Sequence, residues 1–162
     1  MAEHNQLKRL EVELYYTAEM DELWSFVGRK SNQRWTWYAM DKNTGVILAW
    51  HNGGRSDEDF QQLLKYLESI PVDLYYSDAW GAYKRNLPET RHIVGKAHTW
   101  KIERKNLNFR THIKRLNRKT LCFSKSEVVH DNVIGLYIAR FYFKHGSFST
   151  SASILYSNRF KT

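Results

Sequence analysis

SDEDFQQLLKYLESIPVDLYYSD, residues 56–78, decides the fold. Ser56 is placed to cap a helix, Asp59 follows three residues later, and Phe60, Leu63, Leu64 and Leu67 recur at helical spacing. Pro71 stops that helix, and VDLYYS after it reads as a short strand. A strand reached through a helical crossover returns parallel to its sheet. Upstream, the stretches 19–29, 34–41 and 46–51 are rich in Trp, Tyr, Phe, Val and Ile and are separated by GRKSNQ and DKNTG, which is turn chemistry. They predict a three-stranded antiparallel meander. Downstream the pattern continues with a short helix at about 79–85, a small strand at 91–94, a long basic helix at about 99–116 and a C-terminal helix within FSKSEVVHDNVIGLYIARFYF. The expected class is α/β: a mixed sheet of three antiparallel strands and then parallel strands, flanked by helices.

With 162 residues, 42% hydrophobic and 15% aromatic, the chain has enough material for one core and too little for two full domains. The single Cys122 forms no internal disulfide and leaves no cysteine-based zinc site, which fits a reducing setting. The first residues carry no apolar signal region, and no run of about 18 apolar residues occurs, so no membrane partner is expected.

The formal net charge of +8 points to a polyanionic partner. It is concentrated: between residues 96 and 125 ten Lys and Arg face the single acid Glu103. The cations expected to contact DNA are Arg104, Lys105, Arg110, Lys114, Arg115, Arg118 and Lys119. The bland alternative for such a run is a solvated face.

Three carboxylates stand out: Asp21 in AEMDELWSFVG, Asp78 in DLYYSDAWGAY and Glu103 in TWKIERKNLNFR, with 56 residues between the first two and 24 between the last two. Two Asp and one Glu brought together hold a pair of divalent ions, the arrangement that in-line displacement at phosphorus uses. Asp78 sits at the carboxyl end of a parallel strand, where α/β sheets place their ligand crevices. On a continuous helix, Ile102, Phe109, Ile113 and Leu116 make one buried stripe, and Glu103, Arg110 and Lys114 line up within about 40° of arc on its flank. That row reads either as a salt-bridged helix surface or as a metal ligand followed by two phosphate clamps.

Near these acids, His98 precedes Glu103 by five residues, and Asn106 follows it by three, in position to orient substrate or cap a neighbour. Trp80 and Trp100 read as core aromatics, with base stacking as the alternative. The remaining histidines show no paired metal spacing and read as surface or capped residues. The apolar breadth of the C-terminal helix suits either the sheet or a second copy of the chain.

EMDELW, SDAWGAY, KIERKNLNFR and RKTLCFSKS resemble the DDE transposases of the bacterial insertion-sequence-one family, over roughly residues 18–143. The resemblance implies a ribonuclease-H-like catalytic domain at 18–145; the chain departs from the family in having only an extension at 1–17 before it, and residues 146–162, Ser/Thr-rich without clear periodicity, read as a loose tail. It implies that Asp21, Asp78 and Glu103 are catalytic and bind two Mg²⁺ or Mn²⁺ ions, and that Arg110 matches a position contacting the transposon-end backbone. The expected activity is transposon 3′-end cleavage and strand transfer into target DNA. A non-catalytic DNA-binding regulator and a non-transposing nuclease of the same fold are the alternatives. Members of the family carry an upstream zinc-finger and helix-turn-helix region, often joined by frameshifting. This chain resembles the downstream frame, so an upstream-frame protein or fusion is an expected partner, with a homo-oligomer on DNA and a nucleoid-associated bacterial cytoplasmic location.

Overall fold

The computed structural model describes residues 14–142. Strand β1 (Tyr16–Val27) lies at the centre of a five-stranded sheet of order β3-β2-β1-β4-β5. The strand begins at Tyr16, which pairs with Val72, so residues 16 and 17 belong to the sheet rather than to an extension before it. Strands β2 (Arg29–Asp41) and β3 (Ile47–Gly53) complete the antiparallel meander. Of the expected GRKSNQ turn only Gly28 lies between strands, at a φ of 74° that L side chains rarely adopt. Residues 30–32 are absorbed into β2 beside a register shift at Phe26/Val27. The DKNTG turn forms as expected: Asp41 Oδ2 accepts from the Thr44 N–H and hydroxyl, and Gly45 takes φ 73°.

Helix α1 (Asp57–Leu67) starts where the sequence requires, because the Ser56 hydroxyl accepts from the Asp59 N–H. Its Phe60, Leu63 and Leu67 are buried. Strand β4 (Val72–Ser77) returns parallel to β1, and β5 (His92–Val94) adds parallel to β4. Between them stands α2 (Gly81–Asn86). Three antiparallel strands followed by two parallel ones, with helices on both faces, is the ribonuclease-H-like arrangement.

Alternation along β1 divides the core. Ala18 and Met20 face α1 and α2, where Trp37, Phe60 and Tyr83 pack ring to ring at 5.0–5.9 Å. Each such buried side chain contributes about 1.5–3 kcal/mol. Leu23 of β1 and Tyr38 of β2 face the other layer with Ile102 and Phe109 from α3 (Trp100–His112) and Ile134 and Ile138 from α4 (Glu127–Phe141).

The long basic helix is shorter than the spacing predicts. It stops at His112, Ile113 is extended at φ −107° and ψ 94°, and Lys114–Leu116 form a separate 3₁₀ turn. The break still delivers Ile113 and Leu116 to the core, and Arg110 Nη1 reaches across it to the Leu116 carbonyl at 2.7 Å. Lys114 is therefore off the helical face shared by Glu103 and Arg110. On α4 only part of the apolar set is buried; Val128, Val129, Leu136 and Phe141 are exposed. The tail at 146–162 lies outside the described residues.

Candidate active site

Asp21 lies mid-way along β1 on the face that α3 covers, paired across the ladder with Tyr38. Its Oδ1 accepts from the Glu22 N–H at 2.8 Å and its Oδ2 from Asn106 Nδ2 at 2.5 Å. The Tyr38 hydroxyl, kept protonated by burial, donates to Asn106 Oδ1 at 2.7 Å, which fixes the amide so that its NH₂ faces the carboxylate. Burial, then the nearby Glu22, and last Asp78 push the Asp21 carboxyl up to about 7 against the hydrogen bonds that favour its charged form.

Asp78 follows β4 directly. The parallel ladder pairs Glu19 with Tyr76, and the same offset carried two residues further sets Asp78 level with Asp21 on the neighbouring strand. Its Oδ1 accepts from the Trp80 N–H at 2.9 Å. Glu103 occupies the first turn of α3 and is exposed, one turn before Asn106.

What anchors α3 is an acid that sequence reasoning passed over. Thr99 makes no side-chain cap, and instead Glu19 Oε2, fully buried on β1, accepts from the Ile102 N–H at 2.8 Å. A carboxylate there also meets the positive end of the helix dipole. Lys42 Nζ donates to Glu19 Oε1 at 2.8 Å and to the His98 carbonyl at 2.7 Å, closing the junction. The sequence signal was an acid two residues before Asp21 in a strand, hence on the same face.

Glu22 was also missed. It points to the opposite face, where Oε1 accepts from Arg55 Nε and Nη2 at 3.1 and 2.5 Å and Oε2 from the Tyr83 hydroxyl at 2.5 Å. Burial raises its pKa, and Tyr83 and Arg55 oppose that. The Arg55 guanidinium in turn lies 3.7 Å from the Trp80 ring and 4.4 Å from Trp35.

The other predicted residues separate into two groups. Lys105 donates to the Gly45 carbonyl at 3.1 Å and lies over Tyr142, burial lowering its pKa; Arg110 donates to Leu116 and Trp24 carbonyls, also with a lowered pKa from burial; Arg115 donates to Ser124 Oγ at 3.2 Å. Arg104, Lys114, Arg118 and Lys119 are exposed. His98 is exposed with its ring 5.4 Å from Tyr76, Trp80 is half-buried, and Trp100 is 52% exposed rather than a core residue. Of the six tryptophans only Trp37 is fully buried.

Carboxylate oxygens are the donors that hard divalent cations take, and a desolvated Asp21 beside Asp78 is a place where positive charge is favoured. Glu103 is not drawn into that pair: among the described residues no group of three or more His, Cys, Asp or Glu side chains is close enough to hold an ion.

The family model for IS1 transposases matches residues 14–144, which spans the whole described fold and all three acids. The chain belongs to the IS1 transposase family. It is 48% identical over 125 residues to the insertion element iso-IS1n protein InsB of Shigella dysenteriae, covering 77% of this chain and 95% of that protein. It is 44% identical over 121 residues to the IS1 protein InsB of Shigella flexneri, with 75% and 92% covered. The IS1 4 protein InsB of Escherichia coli (strain K12) is 43% identical over 121 residues, with 75% and 72% covered. As a transposase the chain has DNA as its partner, in keeping with the cations at 96–125. Among the described residues no helix is long and apolar enough to cross a membrane.

Proposed function

We propose that this chain is the catalytic domain of a DDE transposase that cleaves transposon 3′ ends and joins them to target DNA by in-line phosphoryl transfer. The observation that carries the reading is that Asp78, just past the end of β4, stands level with Asp21 on the adjacent parallel strand β1, with Asp21 raised to about 7 by burial and neighbouring acids. A desolvated Asp21 with a second carboxylate beside it favours a bound cation.

Asp21, Asp78 and Glu103 are the residues to hold two Mg²⁺ or Mn²⁺ ions, with the exposed Glu103 completing the set as DNA engages. The ions, when bound, supply charge neutralisation at phosphorus and activation of water or a 3′-hydroxyl. The chain's own work is positional. Asn106, oriented by Tyr38, holds the Asp21 carboxylate; the Trp80 N–H holds that of Asp78; Glu19 sets the start of the helix bearing Glu103. The exposed Arg104, Lys114, Arg118 and Lys119 are the phosphate contacts. An upstream-frame zinc-finger and helix-turn-helix segment, encoded separately or fused, recognises the ends, and a homo-oligomer assembles on them in the bacterial cytoplasm.

The second reading is a regulator that binds DNA without cutting it, favoured by the open position of Glu103 away from the aspartate pair. Nicking and strand joining on DNA with a pre-cut 3′ end, in Mn²⁺, decides between them when wild type is compared with Asp78→Asn. Activity lost in the variant supports the enzyme. Joining retained by Asp78→Asn removes the metal-ligand assignment, and inactivity of wild type even when fused to the upstream frame leaves the regulator.

A further inference from the structure

We propose that Glu22, Arg55 and Trp80 form a positioning relay that fixes the Asp78 loop to the strand bearing Asp21. The inference rests on reading Asp78 as part of the reacting site and adds residues that act through it.

Asp78 has left the sheet. β4 ends at Ser77, α2 begins only at Gly81, and α2 has six residues and no side-chain cap at its start. The Asp78 carboxylate is oriented by the Trp80 N–H, so its position depends on where Trp80 is held. The Trp80 ring lies against the Arg55 guanidinium at 3.7 Å, which also contacts Trp35 of β2 at 4.4 Å. Arg55 comes from the loop before α1 and is held by two hydrogen bonds to Glu22 Oε1. The other oxygen of Glu22 takes the hydroxyl of Tyr83, on α2 immediately beyond the loop. Glu22 thus holds the Asp78 loop at two points on its α2 side, through Arg55 against Trp80 and through Tyr83.

The chain geometry makes this economical. Successive residues of a strand face opposite ways, so Asp21 and Glu22 stand back to back: one presents its carboxylate to α3, the other anchors the neighbouring loop from beneath. Glu22 is 8% exposed, and a buried carboxylate that loses its cation is costly, which keeps Arg55 in place.

The test is amide hydrogen exchange of the full chain, read at the Trp80 N–H, together with strand joining in Mn²⁺. Arg55→Lys keeps the charge beside Glu22 and removes the planar contact. Trp80→Leu removes the ring and leaves the ion pair, and so serves if Arg55→Lys folds poorly. Each variant is expected to lose Trp80-position amide protection by about tenfold or more, while the Tyr38 and Ala39 amides of β2, in the middle of the sheet, keep theirs. Joining should fall by about 10- to 100-fold with DNA affinity unchanged, and the double variant should be no worse than the more impaired single one. Unchanged protection at residue 80, or losses that multiply in the double variant, would overturn the relay. Joining retained by Asp78→Asn would instead refute the catalytic reading, and the exchange result would still report on the relay by itself.

Discussion

Glu19 on β1 accepts the backbone N–H of Ile102 on α3, 83 residues away in sequence. The helix that carries Glu103 is therefore hung from the strand that carries Asp21, and the contact replaces a cap that Thr99 does not supply. Because Glu19 is fully buried and also pairs with Lys42, its removal strips both the helix start and the lysine of a partner. Glu19→Ala should destabilise the fold by about 2–4 kcal/mol. Glu19→Gln keeps an acceptor for Ile102 and should cost less than half of that. Urea unfolding of both variants measures the gap, and equal losses would show that the ion pair rather than the cap matters.

A pH dependence follows from the same face of the sheet, where α4 packs beside α3. His130 is fully buried between two hydroxyls, Nε2 at 2.9 Å from Ser25 Oγ and Nδ1 at 2.7 Å from Ser124 Oγ. Burial lowers its pKa to about 4, with Arg115 and Arg34 acting in the same direction and Asp131 and Glu127 against it. The folded value is below the unfolded one, so the unfolded chain binds the extra proton, and stability falls as pH drops through about 6.5 toward 4. Between pH 7 and 5 this one residue should remove about 2 kcal/mol. His130→Gln should flatten that part of the stability profile measured by denaturant titration. An identical slope in the variant would show that His130 is not the titrating group.

How far the sequence could be read depends on the range over which a signal acts. Ser56 with Asp59, Gly45 in its turn and the parallel return at Val72 are set by neighbours a few residues away, and each forms as the spacing predicts. The break at Ile113 was hidden because Ile113 and Leu116 reach the same core whether the helix continues or not. Glu19 and Glu22 read as ordinary acids until the two faces of β1 are assigned and their partners at Ile102, Arg55 and Tyr83 are brought near. Placing Asp78 level with Asp21 required the register of β1 against β4, which no local pattern encodes.

Asn106 gives a prediction at the candidate site. Its amide bridges Tyr38 to Asp21, and truncation leaves a buried hydroxyl and a carboxylate oxygen without that partner. Asn106→Ala should lower strand joining by about 10- to 100-fold and raise the Mn²⁺ concentration needed for half-maximal joining. The stability cost should be about 1–3 kcal/mol. Asn106→Asp should be worse still, since it removes the donor and sets another carboxylate against Asp21. Full activity in Asn106→Ala would remove it from the positioning of Asp21.

The cations of 96–125 make the last test, because structure divides a run that charge alone treats as uniform. Arg118 and Lys119 are exposed, whereas Lys105 donates to the Gly45 carbonyl and Arg115 to Ser124. An exposed cation that neutralises one phosphate contributes about one unit to the slope of log affinity against log salt. Arg118→Ala and Lys119→Ala should each flatten that slope by about one and leave the urea midpoint unchanged. Lys105→Ala should do the reverse, lowering stability by about 1 kcal/mol with little change in slope, because its donor is already committed to the protein. Arg110 is the deciding case between the two behaviours, since it spans the helix break to Leu116 yet lies close enough to Arg118 for the two charges to repel. Its main-chain bonds place it with Lys105, so Arg110→Ala is expected to lower stability and leave the salt slope nearly unchanged; a slope that flattens by a full unit would return it to the phosphate-binding set.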